Sequence, residues 1–193
     1  MAERGKLDRR ALCRAVLAER GDLLVVAGLG APAWDVTAVG DRPENLPLWG
    51  GMGGAAMIGL GLAIAQPRRS VLVITGDGEM LMGLGALATI AAARAPNLAI
   101  AVLDNARYGE TGSQRSHTGL TTDLATVAAG CGWRATAAAH SMPEVAALRP
   151  RLRSEPLFAV IGISAEERPR HLPPRDGAYL ARRFRATLGI APG

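Results

Sequence analysis

The amino-acid sequence predicts an α/β fold: an open, mostly parallel sheet with helices on both faces. Three observations carry that reading. Apolar runs of strand length alternate with segments of helical period, which is the order of βαβ units. The runs at 23–27, 71–75 and 98–103 are continuously apolar, as strands buried on both faces are. Aromatic residues make up only 4%, so Ala, Leu, Val and Ile must pack around Gly-containing backbone, a composition suited to helices lying tightly on a sheet. With 193 residues, 49% hydrophobic and 20% charged, residues 1–193 are expected to form a single domain around one sizeable core.

The elements follow in order. Leu7 to Arg20 reads as an amphipathic helix, with Leu7, Ala11, Leu12, Ala15 and Val16 on one face and Gly21 as its stop. A buried strand, Leu23 to Ala27, ends in Gly28, and Ala31 to Val39 is a short helix before a loop carrying Pro43 and Pro47. Met52 to Gln66 is a helix of small residues closed by Pro67. Val71 to Thr75 is the clearest strand and runs into Gly76-Asp77-Gly78. A helix over Met80 to Arg94 leads to the strand Leu98 to Leu103, which ends at Asp104-Asn105. Then come a helix (Leu120 to Gly130), a weak strand (Arg134 to Ala138), a helix (Pro143 to Arg153) and a last strand (Leu157 to Ile163). Residues 166–193 form a C-terminal arm and helix: Pro169, Pro173 and Pro174 keep Glu166 to Asp176 irregular, and Ala178 to Thr187 is helical.

The net charge of +5 suggests nucleic acid until it is located. Arg149 to Arg185 contains the whole excess, nine Arg against four acidic residues, so it reads as a solvated, ion-paired face. Cys13 and Cys131 form no CxxC pair, which points to a reducing compartment. The charged segment Met1 to Arg10 lacks the apolar stretch of a secretory signal. The longest apolar run, Met52 to Ala65, is short of the ~20 residues a membrane span needs. A cytoplasmic protein without nucleic-acid or membrane partners is expected.

In such sheets ligands sit at the carboxyl ends of strands, and here those ends carry Gly, Asp and Asn. Gly76 and Gly78 let the backbone approach a ligand, Asp77 supplies a carboxylate, and the following helix start favours phosphate. Asn105, at the next strand end, offers a hard amide oxygen, which suits Mg2+ together with Asp77 and diphosphate oxygens. Gly-Asp-Gly alone reads as a tight turn; two adjacent strands each ending in an oxygen ligand read as a site. A Rossmann dinucleotide site competes, because Gly51-Met52-Gly53-Gly54-Ala55-Ala56 fits G-x-G-x-x-A. Its context is poor: Leu46-Pro47-Leu48-Trp49 makes no convincing strand, and no acidic residue ends a strand about 20 positions later.

The stretch GDGEMLMGLGALATIAAARAPNLAIAVLDN, residues 76 to 105, resembles the thiamine diphosphate fingerprint: GDG, a helix, a strand and a terminal Asn 28 positions after Asp77. Gly50-Gly51-Met52-Gly53 is similar to the segment that holds the cofactor's aminopyrimidine ring, and Asn105 to Gly119 resembles the loop that continues the metal site. The likeness is to the diphosphate-binding, C-terminal or β, subunit of sulfopyruvate and phosphonopyruvate decarboxylases. It implies thiamine diphosphate and Mg2+ as cofactors. Asp77, the Asn105 side chain and the Arg107 carbonyl would bind the metal. Gly76, Gly78 and Glu79 would meet the diphosphate, with Tyr108 and Gly109 beside it. Gly50 and Gly51 would border the ring, and Met52 would bend the cofactor. Two departures stand out. Glu79 replaces a Ser or Ala, so its carboxylate must turn away or pair with an Arg, and Asp104 replaces the first Asn of an Asn-Asn pair.

The resemblance also implies what is missing. In the family the carboxylic acid that activates the aminopyrimidine comes from a pyrimidine-binding domain, which nothing in this chain resembles. The chain would then hold half an active site and need a separate pyrimidine-binding (α) subunit. Glu110 and His117 are the candidate catalytic residues, with Thr111, Gln114 and Arg115 as further candidates to line the pocket for a 2-oxo acid. Cys131, Trp133, His140 and His171 are assigned to packing or surface. Two other functions stay open: an acetolactate-synthase-like carboligase subunit, and a non-catalytic phosphate-binding module.

Overall fold

The computed structural model of the chain describes residues 7–190. The first six residues of the charged N-terminal segment, Lys6 among them, and the last three of the C-terminal arm lie outside it. The chain runs α1 (Arg9–Leu17), β1 (Leu24–Ala27), α2 (Ala31–Val39), β2 (Asn45–Pro47), α3 (Ala55–Ala65), β3 (Val71–Gly76), α4 (Asp77–Met82), α5 (Ala86–Ala93) and β4 (Leu98–Asp104). A small hairpin of β5 (Arg107–Tyr108) and β6 (Gln114–Arg115) precedes α6 (Leu124–Gly130), β7 (Thr136–Ala139), α7 (Met142–Ser154), β8 (Phe158–Gly162) and α8 (Gly177–Thr187).

Six strands form one sheet in the order β2-β1-β3-β4-β8-β7, every neighbouring pair parallel. Alternate residues of each strand feed opposite layers, as the period of two requires. Val25, Ala27, Leu72, Ile74, Ala99 and Ala101 pack under α1, α2 and α7, against Leu12, Val36 and Leu148. Leu24, Val26, Val71, Val73, Ile100 and Val102 pack under α3, α5, α6 and α8, against Leu60, Leu87, Ala128 and Phe184. Both faces are therefore dry, which is why these strands read as unbroken apolar runs.

Several boundaries differ from the sequence expectation, each for a local reason. α1 starts at Arg9 because the Asp8 side chain caps it, accepting from the Ala11 N–H at 2.7 Å. α3 starts at Ala55, not Met52, because Gly51 and Gly53 take left-handed φ values of 69° and 90°. The single helix expected over Met80 to Arg94 is two. The break at Gly83 to Gly85 lets backbone pass backbone: a Cβ on Gly83 would lie 2.1 Å from the Gly53 carbonyl oxygen. The segment before Met52, read as too short and proline-bearing for a strand, does form the edge strand β2, where the missing N–H of Pro47 is tolerated. The β5–β6 hairpin was not foreseen; its two-residue strands carry no periodicity.

The arm is irregular from Ser164 to Asp176 and lies along the chain's own surface. Arg168 pairs with Asp8, the Trp49 indole N–H donates to the Pro174 carbonyl at 2.8 Å, and Arg183 holds Asp41 at 2.7 Å. The tail arginines are thus spent largely on ion pairs and ring stacking, including Arg170 over Trp34. No helix among the described residues is long and apolar enough to cross a membrane.

Candidate active site

The strand order reverses direction at β1: β2 lies on one side of it and β3 on the other. Loops leaving β1 and β3 diverge there and open a crevice at the carboxyl ends of the strands. The structure has a cavity of about 430 Å3 at this place, within the range of small-molecule sites. It is lined by Leu29, Ala31 and Pro32 after β1, by Gly76 to Glu79 at the end of β3, by Asn105 and Arg107 to Thr111 after β4, and by Met52 and His117.

Asp77 opens α4 and is 2% exposed. Its Oδ2 accepts from the Ser116 hydroxyl at 2.5 Å and contacts the Thr118 hydroxyl at 3.1 Å. The Thr118 hydroxyl donates to Asp104 Oδ1 at 2.7 Å, so β3 and β4 end in two buried carboxylates bridged through one loop. Burial, reinforced by the nearby Asp104, pushes Asp77 up to about 6 against the pull of the two hydroxyls. Oδ2 takes both hydroxyls, and Oδ1 accepts from neither.

Asn105 is half-buried beside it, its Oδ1 accepting from the Arg107 N–H at 2.9 Å, and the second lone pair of that oxygen is spare. Between them Ala106 adopts a left-handed φ of 58°, a strained choice for a residue with a Cβ, of the kind concentrated at functional loops. In the hairpin Ser116 N–H donates to Ala106 O and Ser113 N–H to Tyr108 O, while Arg107 pairs with Arg115. Arg107 therefore sits at a non-hydrogen-bonded position, its own carbonyl pointing away from β6. The Arg107 side chain is exposed and donates to the Ser113 carbonyl at 2.9 Å.

A carboxylate, an amide oxygen and a main-chain carbonyl make a hard donor set of the kind Mg2+ prefers, with room for phosphate and water oxygens. Among the described residues no group of three or more His, Cys, Asp and Glu side chains is placed to hold a metal. The residues present fit a magnesium-bound diphosphate.

Glu79 turns away from the cavity floor. Its carboxylate is buried, accepts from the Thr75 hydroxyl at 2.8 Å and lies against Gly28, where a Cβ would come within 1.9 Å of Oε2. Burial pushes it up, opposed by the Thr75 hydroxyl and the nearby N–H groups of Gly53, Ala55 and Leu29. The clash expected between this carboxylate and a phosphate is thus relieved by orientation, without an Arg. Tyr108 packs its ring on Gly78, and its ring meets His117 edge-on at 6.0 Å. Glu110 folds over Gly30, whose added Cβ would lie 2.2 Å from Oε1.

Of the residues singled out in the sequence, Met52, Gly76, Asp77, Gly78, Glu79, Asn105, Arg107, Tyr108, Gly109, Glu110, Thr111 and His117 line one cavity. Gly50 and Gly51 are exposed just before Met52, and neither lines it. Gln114 and Arg115 do not line it either: Gln114 donates to Thr111, and Arg115 is held on the Gly119 carbonyl. Trp133 is a core residue, its indole N–H on the Leu87 carbonyl. Sequence reasoning missed Ser116, Thr118, Arg9 and Asp35. The first two lie inside the loop already singled out; the last pair gives no local signal, because only tertiary packing brings α1 and α2 to the crevice.

A parallel sheet with a crevice of this size at its switch point, lined by Asp77 and Asn105, has the architecture of a cofactor-binding domain. The chain belongs to the family described as thiamine pyrophosphate enzyme, C-terminal TPP binding domain, which matches residues 39–162. It is 43% identical to the sulfopyruvate decarboxylase subunit beta of Methanocaldococcus jannaschii over 56% of this chain and 57% of that one. It is 38% identical to the phosphonopyruvate decarboxylase of Streptomyces viridochromogenes over 89% of this chain and 43% of that one. A candidate thiamin diphosphate-dependent enzyme isolated from Mycobacterium smegmatis shares the fold, with a TM-score of 0.72 at 19% identity over 84% of this chain and 33% of that one. The chain spans between 43% and 57% of the length of these two curated relatives.

Proposed function

We propose that this chain is the diphosphate-binding subunit of a thiamine-diphosphate- and Mg2+-dependent decarboxylase acting on a 2-oxo acid such as sulfopyruvate or phosphonopyruvate. The observation that carries the reading is the convergence of Asp77, Asn105 and Arg107 on a single crevice, next to Gly76 to Glu79. When bound, thiamine diphosphate supplies a nucleophilic thiazolium carbon and a sink for the electrons released with carbon dioxide.

The residues of this chain have definite tasks in that reading. Asp77 and Asn105 hold the cation, with Ser116 and Thr118 fixing the Asp77 carboxylate. Gly78 and Glu79 N–H groups meet phosphate oxygens. Met52, held between two left-handed glycines and lining the cavity, is a rigidly placed apolar wedge for the cofactor. His117 and Glu110, at the exposed mouth, stand where a proton can be delivered to the product.

In this reading a separate pyrimidine-binding subunit supplies the acid that activates the aminopyrimidine. Relatives named as a subunit beta support a two-subunit enzyme. So does α3, apolar all round, with Met57, Gly61 and Ile64 in one exposed stripe. Calorimetry of the chain with its copurifying partner tests the reading. Thiamine diphosphate is expected to bind only with Mg2+ present, and Asp77→Ala and Asn105→Ala are each expected to weaken binding at least tenfold. Binding that ignores EDTA and both substitutions would refute the assignment.

A further inference from the structure

Arg9 opens α1 and is nine-tenths buried, yet it lines the same cavity as Asp77, Gly78 and Glu79. A guanidinium stays charged when removed from bulk water, so its position has to be matched by anions. One is built in. Asp35, on α2 and fully buried, lies 2.7 Å from Arg9 Nε and 3.0 Å from Arg10 Nε.

Two guanidiniums share that one carboxylate, so Asp35 alone cannot balance both. Only one of the two arginines faces the crevice. Arg10 reaches the other way, its Nη2 on the carbonyl of Pro169 in the C-terminal arm. Arg9 meets Asp35 through Nε, off the angle of a good hydrogen bond, so the pairing anchors the side chain while its Nη groups stay available. Those Nη groups form a planar fork suited to a phosphoryl, sulfonate or phosphonate group.

We propose that Arg9, anchored by Asp35, binds the terminal phosphate of the cofactor's diphosphate from the α1–α2 wall of the cavity, while Asp77 and Asn105 take the cation on the β3–β4 wall. This rests on the cofactor reading given above. A diphosphate carries more negative charge than one Mg2+ cancels, and Asp77 adds to that surplus. Arg9 is the buried counter-charge on the remaining side. The same fork would also suit the acidic tail of a substrate, and the test separates the two.

The full chain with its copurifying partner is titrated calorimetrically with thiamine diphosphate, and separately with thiamine monophosphate, at saturating Mg2+. Arg9→Met and Arg9→Lys are each expected to weaken thiamine diphosphate at least tenfold, Lys less than Met. Thiamine monophosphate is expected to bind wild type and variants within twofold. The KM for sulfopyruvate at saturating cofactor should stay unchanged. Arg9→Lys keeps a cation beside Asp35, so it carries the measurement if Arg9→Met fails to fold, which thermal unfolding of the apo protein reports. Unchanged thiamine diphosphate affinity in both variants overturns the proposal, and a raised KM with unchanged affinity overturns it in favour of the substrate's tail. A wild type that binds no thiamine diphosphate sinks the cofactor reading and this inference together. Loss of binding in Asp77→Ala with normal binding in the Arg9 variants sinks this inference alone.

Discussion

Asp77 keeps its proton to a higher pH than an ordinary aspartate, first because it is buried and then because Asp104 faces it. Proton and cation compete for this carboxylate. Below about pH 6 each further unit is expected to weaken Mg2+-dependent cofactor binding by up to about tenfold, with protons released on binding, measurable in buffers of different ionisation enthalpy. The metal-free chain moves the other way. The fold holds this proton up to about pH 6, whereas the unfolded chain gives it up near 3.8. Between those values the folded state binds more protons, so Asp77 stabilises the fold as pH falls and withdraws that help as pH rises, by up to about 1.4 kcal/mol per unit. Glu79 is shifted in the same direction. Urea titrations without Mg2+ at about pH 7 and about pH 5 would show it; greater stability at the higher pH would contradict the burial of Asp77.

At the scale of elements, the break between α4 and α5 is where the core meets the cofactor loop. A methyl group on Gly83 would strike the Gly53 carbonyl, a backbone atom that cannot rotate aside. Gly83→Ala is therefore expected to destabilise the protein by about 1–3 kcal/mol and to weaken cofactor binding by shifting Met52, read by thermal unfolding and calorimetry. The same place shows what the sequence conceals. Strands β1, β3 and β4 were legible because burial on both faces leaves continuous apolar runs. The Asp77 and Asn105 pair was legible because glycines and oxygen ligands mark strand ends. The start of α3 and the split of α4 from α5 were not, since small apolar residues continue a helical pattern across glycines whose φ or contacts only the fold dictates. β2 and the β5–β6 hairpin are too short to carry a period. Arg9 and Asp35 lie 26 positions apart and outside any motif, so their meeting at the crevice could not be read from either segment.

At the scale of the whole molecule, α3 presents a face that the layers of the described residues do not cover. Ile64 is 63% exposed on a helix with no polar side, and Met57 and Gly61 continue its stripe. Such a surface is costly in water and suits a partner. Ile64→Asp is expected to leave the unfolding free energy within the range of surface changes, about 0.5 kcal/mol, while weakening association with the proposed partner subunit at least tenfold in sedimentation experiments. Retained association would place the partner elsewhere.

The reversal of strand order at β1 has a wider meaning. The crevice exists because of how the strands are wired, before any side chain is chosen to furnish it. Beneath it both apolar layers are complete without Tyr108, Glu110, Thr111 or His117. Substitutions at those four positions change what meets the ligand while the sheet below bears none of the strain, which makes the mouth of this site the inexpensive place for its chemistry to diverge.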